Sequence, residues 1–315
     1  MSGKSAPQVL MADATACAAA AARLREGGLV ALPTETVYGL AARADSVSAV
    51  AAIYRAKGRP DFNPLIVHVS SLAQAEALAQ FDARARALAV RFWPGALTLV
   101  LPLKESAAIA AAVTAGLPTI ALRCPAHPVM QAVLMATGLP LAAPSANRSG
   151  GVSPTSAAHV AESLARAAGL ILDGGACEQG IESTIVALRS KGWSILRPGP
   201  ITHAQLAEVL GESANLEPTG GIEAPGQLAS HYSPGKPVRL KASEAEADEF
   251  HIGFGAVPGA VTLSAAGDFA EAASRLYAQL HLAAAAPQPR IAVAEIPDEG
   301  MGAAINDRLR RAAVP

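Results

Sequence analysis

The sequence predicts an α/β protein, with a first domain built on a twisted mixed sheet flanked by helices and a second, smaller α/β domain. Three observations carry this. Apolar strand-like runs alternate with helical patterns through roughly the first 210 residues. The segment EPTGGIEAPGQLASHYSPGKP then breaks the pattern, being dense in Pro and Gly and without period. A shorter α/β pattern resumes at Val238. The 315 residues, 51% hydrophobic and 16% charged, can fill a large core and are too poor in charge for a disordered chain.

The elements follow in order. Asp13 or Thr15 can cap an alanine-rich helix that stops at Gly27-Gly28, and LVAL follows as a strand. Asp45 or Ser46 can cap SVSAVAAIYRAK, a helix ended by Gly58, and Pro64 opens the strand LIVHV. FDARARALAVRFW reads as a helix, ALTLVLP and PTIALR as strands, and HPVMQAVLMATG as a helix closed by glycine. PLAAPSA is a strand, PTSAAHVAESLARAAG a helix and LILDGG a strand. STIVAL and SILRPG form a strand pair across Lys191-Gly192, and THAQLAEVLG is a helix. Beyond the linker come VRL, FHIGFG and AVTLS, a helix near Asp268–Leu282, RIAVAEI and a last helix ending DRLRRAA. The expected domains are therefore 1–214 and 238–315, with 215–237 as a linker or lid.

Composition excludes several classes. A net charge of −1 gives no bulk attraction to nucleic acid, and 4% aromatics argues against a base-stacking platform. Cys17, Cys124 and Cys177 lack metal-ligand spacing and are odd in number, which suits inert core thiols in a reduced, cytoplasmic compartment. No run of about 20 apolar residues predicts a membrane span, and no signal-peptide pattern opens the chain. No Walker A loop occurs. Gly253, Gly255 and Gly259 miss dinucleotide spacing, and the seven histidines never pair at His-x3-His.

The most informative stretch is Leu32–Val69. Two apolar strands there flank Thr34, Thr36, Tyr38, Lys57, Arg59 and Asn63, an arrangement that suits an anionic ligand such as a nucleotide. Three further polar clusters stand out. Arg123 ends the strand PTIALR and, buried, needs a partner. APSANRSGGVSP reads equally well as a polar loop. GIEST and the later RPGP read equally well as strand-end turns. Singly, each cluster fits turn chemistry as well as a site. Together, all four lie at predicted strand ends, where open α/β sheets bind ligands. From the residues alone, the reading is nucleotide or phosphate binding.

PTETVYGL, the Lys57-x-Arg59-Pro60 loop with NPLIVHV, WPGALTLVL, AAPSAN and LRPG in this order resemble the YrdC-like family. The linker and second domain resemble its two-domain members, the L-threonylcarbamoyladenylate synthases. The resemblance implies a YrdC-like open sheet with a second, small Rossmann-like domain. It also implies a nucleotidyltransferase making L-threonylcarbamoyl-AMP and pyrophosphate from L-threonine, bicarbonate and ATP. The product would feed N6-threonylcarbamoyladenosine formation in tRNA through a separate transferase complex, with at most a weak tRNA contact.

By the same resemblance Thr36, His68, Arg123, Ala143 and Ser183 hold L-threonine. Arg59, Asn63, Thr119, Ser145, Ser153, Arg197 and Tyr232 line the ATP site, and Lys57 and Arg59 are the catalytic cations. Mg2+ is expected to arrive with ATP rather than in a protein cage. The second domain, ending at residue 315, is short for the family pattern. The weighed alternatives are a double-stranded RNA or tRNA-binding module and a carbamoyl-adenylate enzyme of hydrogenase maturation. The latter carries cysteine-rich zinc-binding regions that this chain lacks.

Overall fold

The computed structural model describes residues 7–190, 192–211, 223–225 and 231–314. The first domain contains β1 (Gln8–Met11), α1 (Ala14–Arg25), β2 (Val30–Leu32), β3 (Gly39–Arg43), α2 (Val47–Lys57), β4 (Ile66–His68), α3 (Leu72–Leu78), α4 (Ala83–Phe92) and β5 (Leu97–Pro102). It continues with α5 (Ala111–Thr114), β6 (Thr119–Arg123), α6 (Pro128–Thr137), β7 (Leu141–Ala142), α7 (Ala157–Leu164), β8 (Leu170–Asp173), β9 (Thr184–Arg189), β10 (Gly192–Arg197) and α8 (His203–Leu210). The second contains β11 (Val238–Arg239), β12 (Glu249–Gly253), β13 (Val261–Thr262), α9 (Phe269–Ala285), β14 (Arg290–Val293) and α10 (Met301–Ala312).

The ten strands of the first domain form one mixed sheet in the order β1-β8-β2-β3-β7-β4-β6-β5-β9-β10. The second sheet, β11-β14-β12-β13, is parallel throughout. Most of the expected linker, and Lys191 of the expected strand turn, lie outside the described residues.

Of the alternative caps, the fold uses Asp13, whose carboxylate accepts from Ala16 N, and Ser46, whose hydroxyl accepts from Ala49 N. Four elements stand outside the expectation: β1, β3, α3 and the short α5. β3 replaces an expected polar passage into α2: GLAAR is poor in β-formers but is buried between antiparallel partners β2 and β7. β1 is an edge strand that exposes Val9 and Met11, so it carries no alternating pattern. α3 is capped by Ser71. The expected strand PLAAPSA contracts to Leu141–Ala142 because its end turns away into a loop.

Alternation along the strands sorts side chains onto two faces. Val30 and Leu32 join a cluster with α1 and α6, while Ala31 joins the larger cluster with α2, α4, α7 and α8. Toward β4, β6, β5 and β9, one face carries only a small cluster: Ile66, Val100, Ala121, Ile185 and Ala187, with Ala224 of the linker. By the same period His68 shares the face of Ile66, and Thr119 and Arg123 share the face of Ala121. Polar strand-end residues thus project onto the part of the sheet that this small, helix-free cluster covers.

The second domain packs onto the first through a cluster joining Val37, Val152 and Ile181 to Ile252, Leu276 and Leu280. Gly180 sits at this contact with φ +68°, and a Cβ there would lie 2.4 Å from Ser274 Cα. Gly180→Ala is expected to cost about 2–4 kcal/mol through backbone strain and overpacking. A thermal melt tests this, and an unchanged Tm would contradict the close approach.

Candidate active site

The site begins in the turn between β2 and β3. Thr34 Oγ1 donates to Val37 O at 2.7 Å and accepts from the Thr36 and Val37 amides, so a side chain folds the turn in place of backbone. The turn presents Thr36 Oγ1 to Arg123 Nη1 at 2.8 Å. Arg123 Nη2 lies 2.7 Å from Glu35 Oε1, both side chains being buried, and Nε donates to Gly95 O at 3.2 Å. The partner this buried arginine needs is therefore Glu35. Burial pushes the Glu35 carboxyl up, but Arg123 outweighs it and holds the group ionised below its usual range.

His68 stands beside Arg123 in the parallel β4–β6 register. Burial and the Arg123 charge push it down to about 3, so the imidazole is neutral. Among the described residues its Nδ1 has no hydrogen-bond partner.

A second group gathers around Arg59, which closes α2 beyond Gly58. Its Nε donates to Asn63 O at 3.3 Å and Nη2 to Pro64 O at 2.9 Å. Burial lowers it to about 10, leaving it charged at neutral pH. Arg197 donates Nε and Nη2 to Ser183 O at 3.1 and 3.0 Å, and Nη2 also to Ser183 Oγ at 3.1 Å. The Ser183 hydroxyl in turn bonds Thr98 Oγ1 at 2.7 Å. Tyr232, at φ +65°, buries its ring against Tyr277 with centroids 5.5 Å apart.

These groups enclose one cavity. Thr36, His68, Arg123, Ala143 and Ser183 line it, as do Arg59, Ser145, Arg197 and Tyr232. Four predicted residues do not line it. Lys57 is buried and donates to Ser145 O and Asn147 O, both at 2.6 Å, so its ammonium staples α2 to the loop after β7. Burial, then the charge of Arg59, push its pKa well below the usual range. Asn63 is buried with its carbonyl on Arg59 and Tyr54. Ser153 donates its hydroxyl to Glu182 at 2.6 Å. Thr119 opens β6 at the end away from Arg123, where the register sets it opposite Pro102 of β5.

Residues without an expected role also shape the site. Glu182 and His231 line the cavity. Burial pushes His231 down to about 3, against the pull of Glu182 and with the Lys57, Arg59 and Arg197 charges. Its place beside Tyr232 was the one sequence signal for it. The three cysteines are free and buried, and burial pushes the Cys177 thiol up to about 12. Among the described residues, no group of three or more His, Cys, Asp or Glu could hold a metal ion, and no helix is long and apolar enough to cross a membrane.

Two buried neutral imidazoles set an acid response. Unfolded histidine titrates near 6.5, so between about pH 6.5 and 3 the unfolded chain binds more protons and stability falls as pH falls. The slope reaches up to about 1.4 kcal/mol per pH unit for each of His68 and His231. Urea midpoints at pH 7 and pH 5 test this, with His68→Gln expected to flatten the difference. Equal midpoints in the unsubstituted protein would contradict it.

Residues 22–199 match the Sua5/YciO/YrdC family, described as "Telomere recombination". Residues 201–314 match the family "Threonylcarbamoyl-AMP synthase, C-terminal domain". The threonylcarbamoyl-AMP synthase of Bacillus subtilis is 42% identical, over 94% of this chain and 92% of its own length. That of Pyrococcus abyssi is 45% identical over 70% of this chain and 66% of its own. The crystal structure of P. abyssi Sua5 complexed with L-threonine superimposes with a TM-score of 0.88 at 36% identity, covering 98% of this chain and 96% of that one.

Proposed function

The chain belongs to the Sua5/YciO/YrdC family in the two-domain form of the threonylcarbamoyl-AMP synthases, and we infer that it makes L-threonylcarbamoyl-AMP from L-threonine, bicarbonate and ATP. The observation that carries the reading is the single cavity in which Thr36, His68 and Arg123 meet Arg59, Arg197 and Tyr232. The match to a structure holding L-threonine supports the amino-acid side of it.

The threonine amine, carboxylated to a carbamate, attacks the α-phosphorus of ATP through a carbamate oxygen. The bond to the bridging oxygen breaks and pyrophosphate leaves, so the class is nucleotidyl transfer. Charge accumulates on phosphate oxygens, which makes positioned cations the main catalytic device. We assign Thr36, His68, Arg123, Ala143 and Ser183 to L-threonine. A neutral His68 adds a hydrogen-bonding ring without repelling an ammonium or attracting phosphate. We assign Arg59, Ser145, Arg197 and Tyr232, which line the cavity, to ATP, with Asn63, Thr119 and Ser153, which stand outside that lining, as further residues of the same site. Lys57 acts beside Arg59 by fixing the Ser145 loop, its ammonium being held by two carbonyls. Mg2+ enters with the ATP phosphates as part of that substrate.

A reduced cytoplasmic setting fits the three free cysteines, and the product passes to a transferase complex that modifies tRNA. An RNA-binding module as the primary role is not favoured, given the net charge of −1. The test is pyrophosphate release from ATP by purified protein. Release that requires both L-threonine and bicarbonate is expected, and release indifferent to either would sink the reading.

A further inference from the structure

The second domain reaches the cavity wall through two fully buried side chains, Tyr277 on α9 and Arg308 on α10. Both act on Glu182. Tyr277 donates its phenol to Oε2 at 2.8 Å, and Arg308 donates Nε to the same oxygen at 3.1 Å. Ser153 occupies Oε1 at 2.6 Å. Arg308 Nη1 also donates to Pro198 O at 2.6 Å and pairs with Asp307 at 3.1 Å, while Nη2 reaches Glu182 O at 3.4 Å. Its guanidinium lies 5.8 Å from the centre of the Tyr232 ring.

Three pieces of the site therefore hang on Arg308: the loop carrying Ser183, the turn after Arg197, and the Tyr232 ring. The charge is as important as the geometry. Glu182 is a carboxylate in the wall of a cavity read as binding a triphosphate, where an uncompensated negative charge opposes the ligand. Burial pushes this carboxyl up, but Arg308 and then Arg197 hold it ionised, down to about 2. Without Arg308 the carboxylate would draw on Arg197 instead, a cation the nucleotide needs.

We propose that Arg308, with Tyr277, is a positioning residue for the nucleotide wall: it neutralises Glu182 and leaves Arg197 free to face phosphate. The inference rests on the synthase reading of the cavity. It gives the second domain a part in ATP binding without contact with ATP.

The experiment measures kcat and KM for ATP and L-threonine by pyrophosphate release, using full-length Arg308→Met, Tyr277→Phe and the double variant Arg308→Met/Glu182→Gln. Circular dichroism reports folding. For Arg308→Met, KM for ATP should rise by about tenfold or more, exceeding any change for L-threonine. The double variant should recover much of that loss, because the uncompensated charge is gone. A purely structural role predicts no such recovery. A folded Arg308→Met with KM for ATP within about twofold of the parent, or a double variant no better than the single, overturns the proposal. Should Arg308→Met not fold, Tyr277→Phe decides: a raised KM for ATP supports the proposal and an unchanged one overturns it. A parent protein lacking release dependent on L-threonine and bicarbonate sinks the synthase reading instead, so the two failures are distinct.

Discussion

Arg123→Ala is expected to raise KM for L-threonine by about a hundredfold or more while changing KM for ATP far less. The guanidinium is fixed on three sides, by Glu35, the Thr36 hydroxyl and Gly95 O, so it meets an incoming carboxylate with little reorganisation. Losing it also strands Glu35, a buried carboxylate whose ionised state depends on Arg123. Breaking a buried pair from one side costs about 3–5 kcal/mol of stability. That cost and the binding loss must be separated, and Arg123→Ala/Glu35→Gln does so. The double variant removes the stranded charge, so thermal stability should recover while threonine binding does not. Equal losses for ATP and L-threonine in the double variant would remove Arg123 from the amino-acid side.

The half of the site that lies on strands was legible because buried strands are apolar runs and a polar residue at their end stands out. Arg123 after TIAL is of this kind, whereas His68 after LIV reads as a core histidine and gains a role only through the family resemblance. In the structure the two stand side by side in the β4–β6 register, where the cavity opens. What resisted reading was set by contacts distant in sequence. Lys57 reads as a cation at a helix end, but its neighbours are carbonyls of Ser145 and Asn147, 88 and 90 positions later. Glu35 between two threonines reads as turn chemistry, since nothing local shows the arginine it meets. Arg308 and Tyr277 lie on helices with ordinary amphipathic patterns, and only the docking of the second domain turns them toward Glu182. β3 was missed for a related reason: GLAAR becomes a strand by being enclosed between two others.

The second large effect is expected at Arg59, whose replacement by alanine should lower kcat by about 10²–10³-fold, as loss of one preorganised charge donor does elsewhere. The argument is one of preorganisation. Two carbonyls, Asn63 O and Pro64 O, hold the guanidinium by Nε and Nη2, and both belong to the segment that leads into β4. The cation is thus fixed to the sheet before any phosphate arrives, and burial removes the water that would screen it. Arg197 is a like-charged neighbour, so the two guanidinia repel one another. Charge growing on phosphate oxygens relieves that repulsion, and the relief is greatest in the transition state, where binding energy counts toward rate. Arg59→Lys separates charge from shape. It restores a positive group but not the planar fork that spans two carbonyls, so it should recover only part of kcat. Single-turnover measurement of pyrophosphate formation at saturating ATP isolates the chemical step. A variant that raises KM for ATP with kcat intact would assign Arg59 to ground-state binding alone, and the transition-state role would then fall to Arg197.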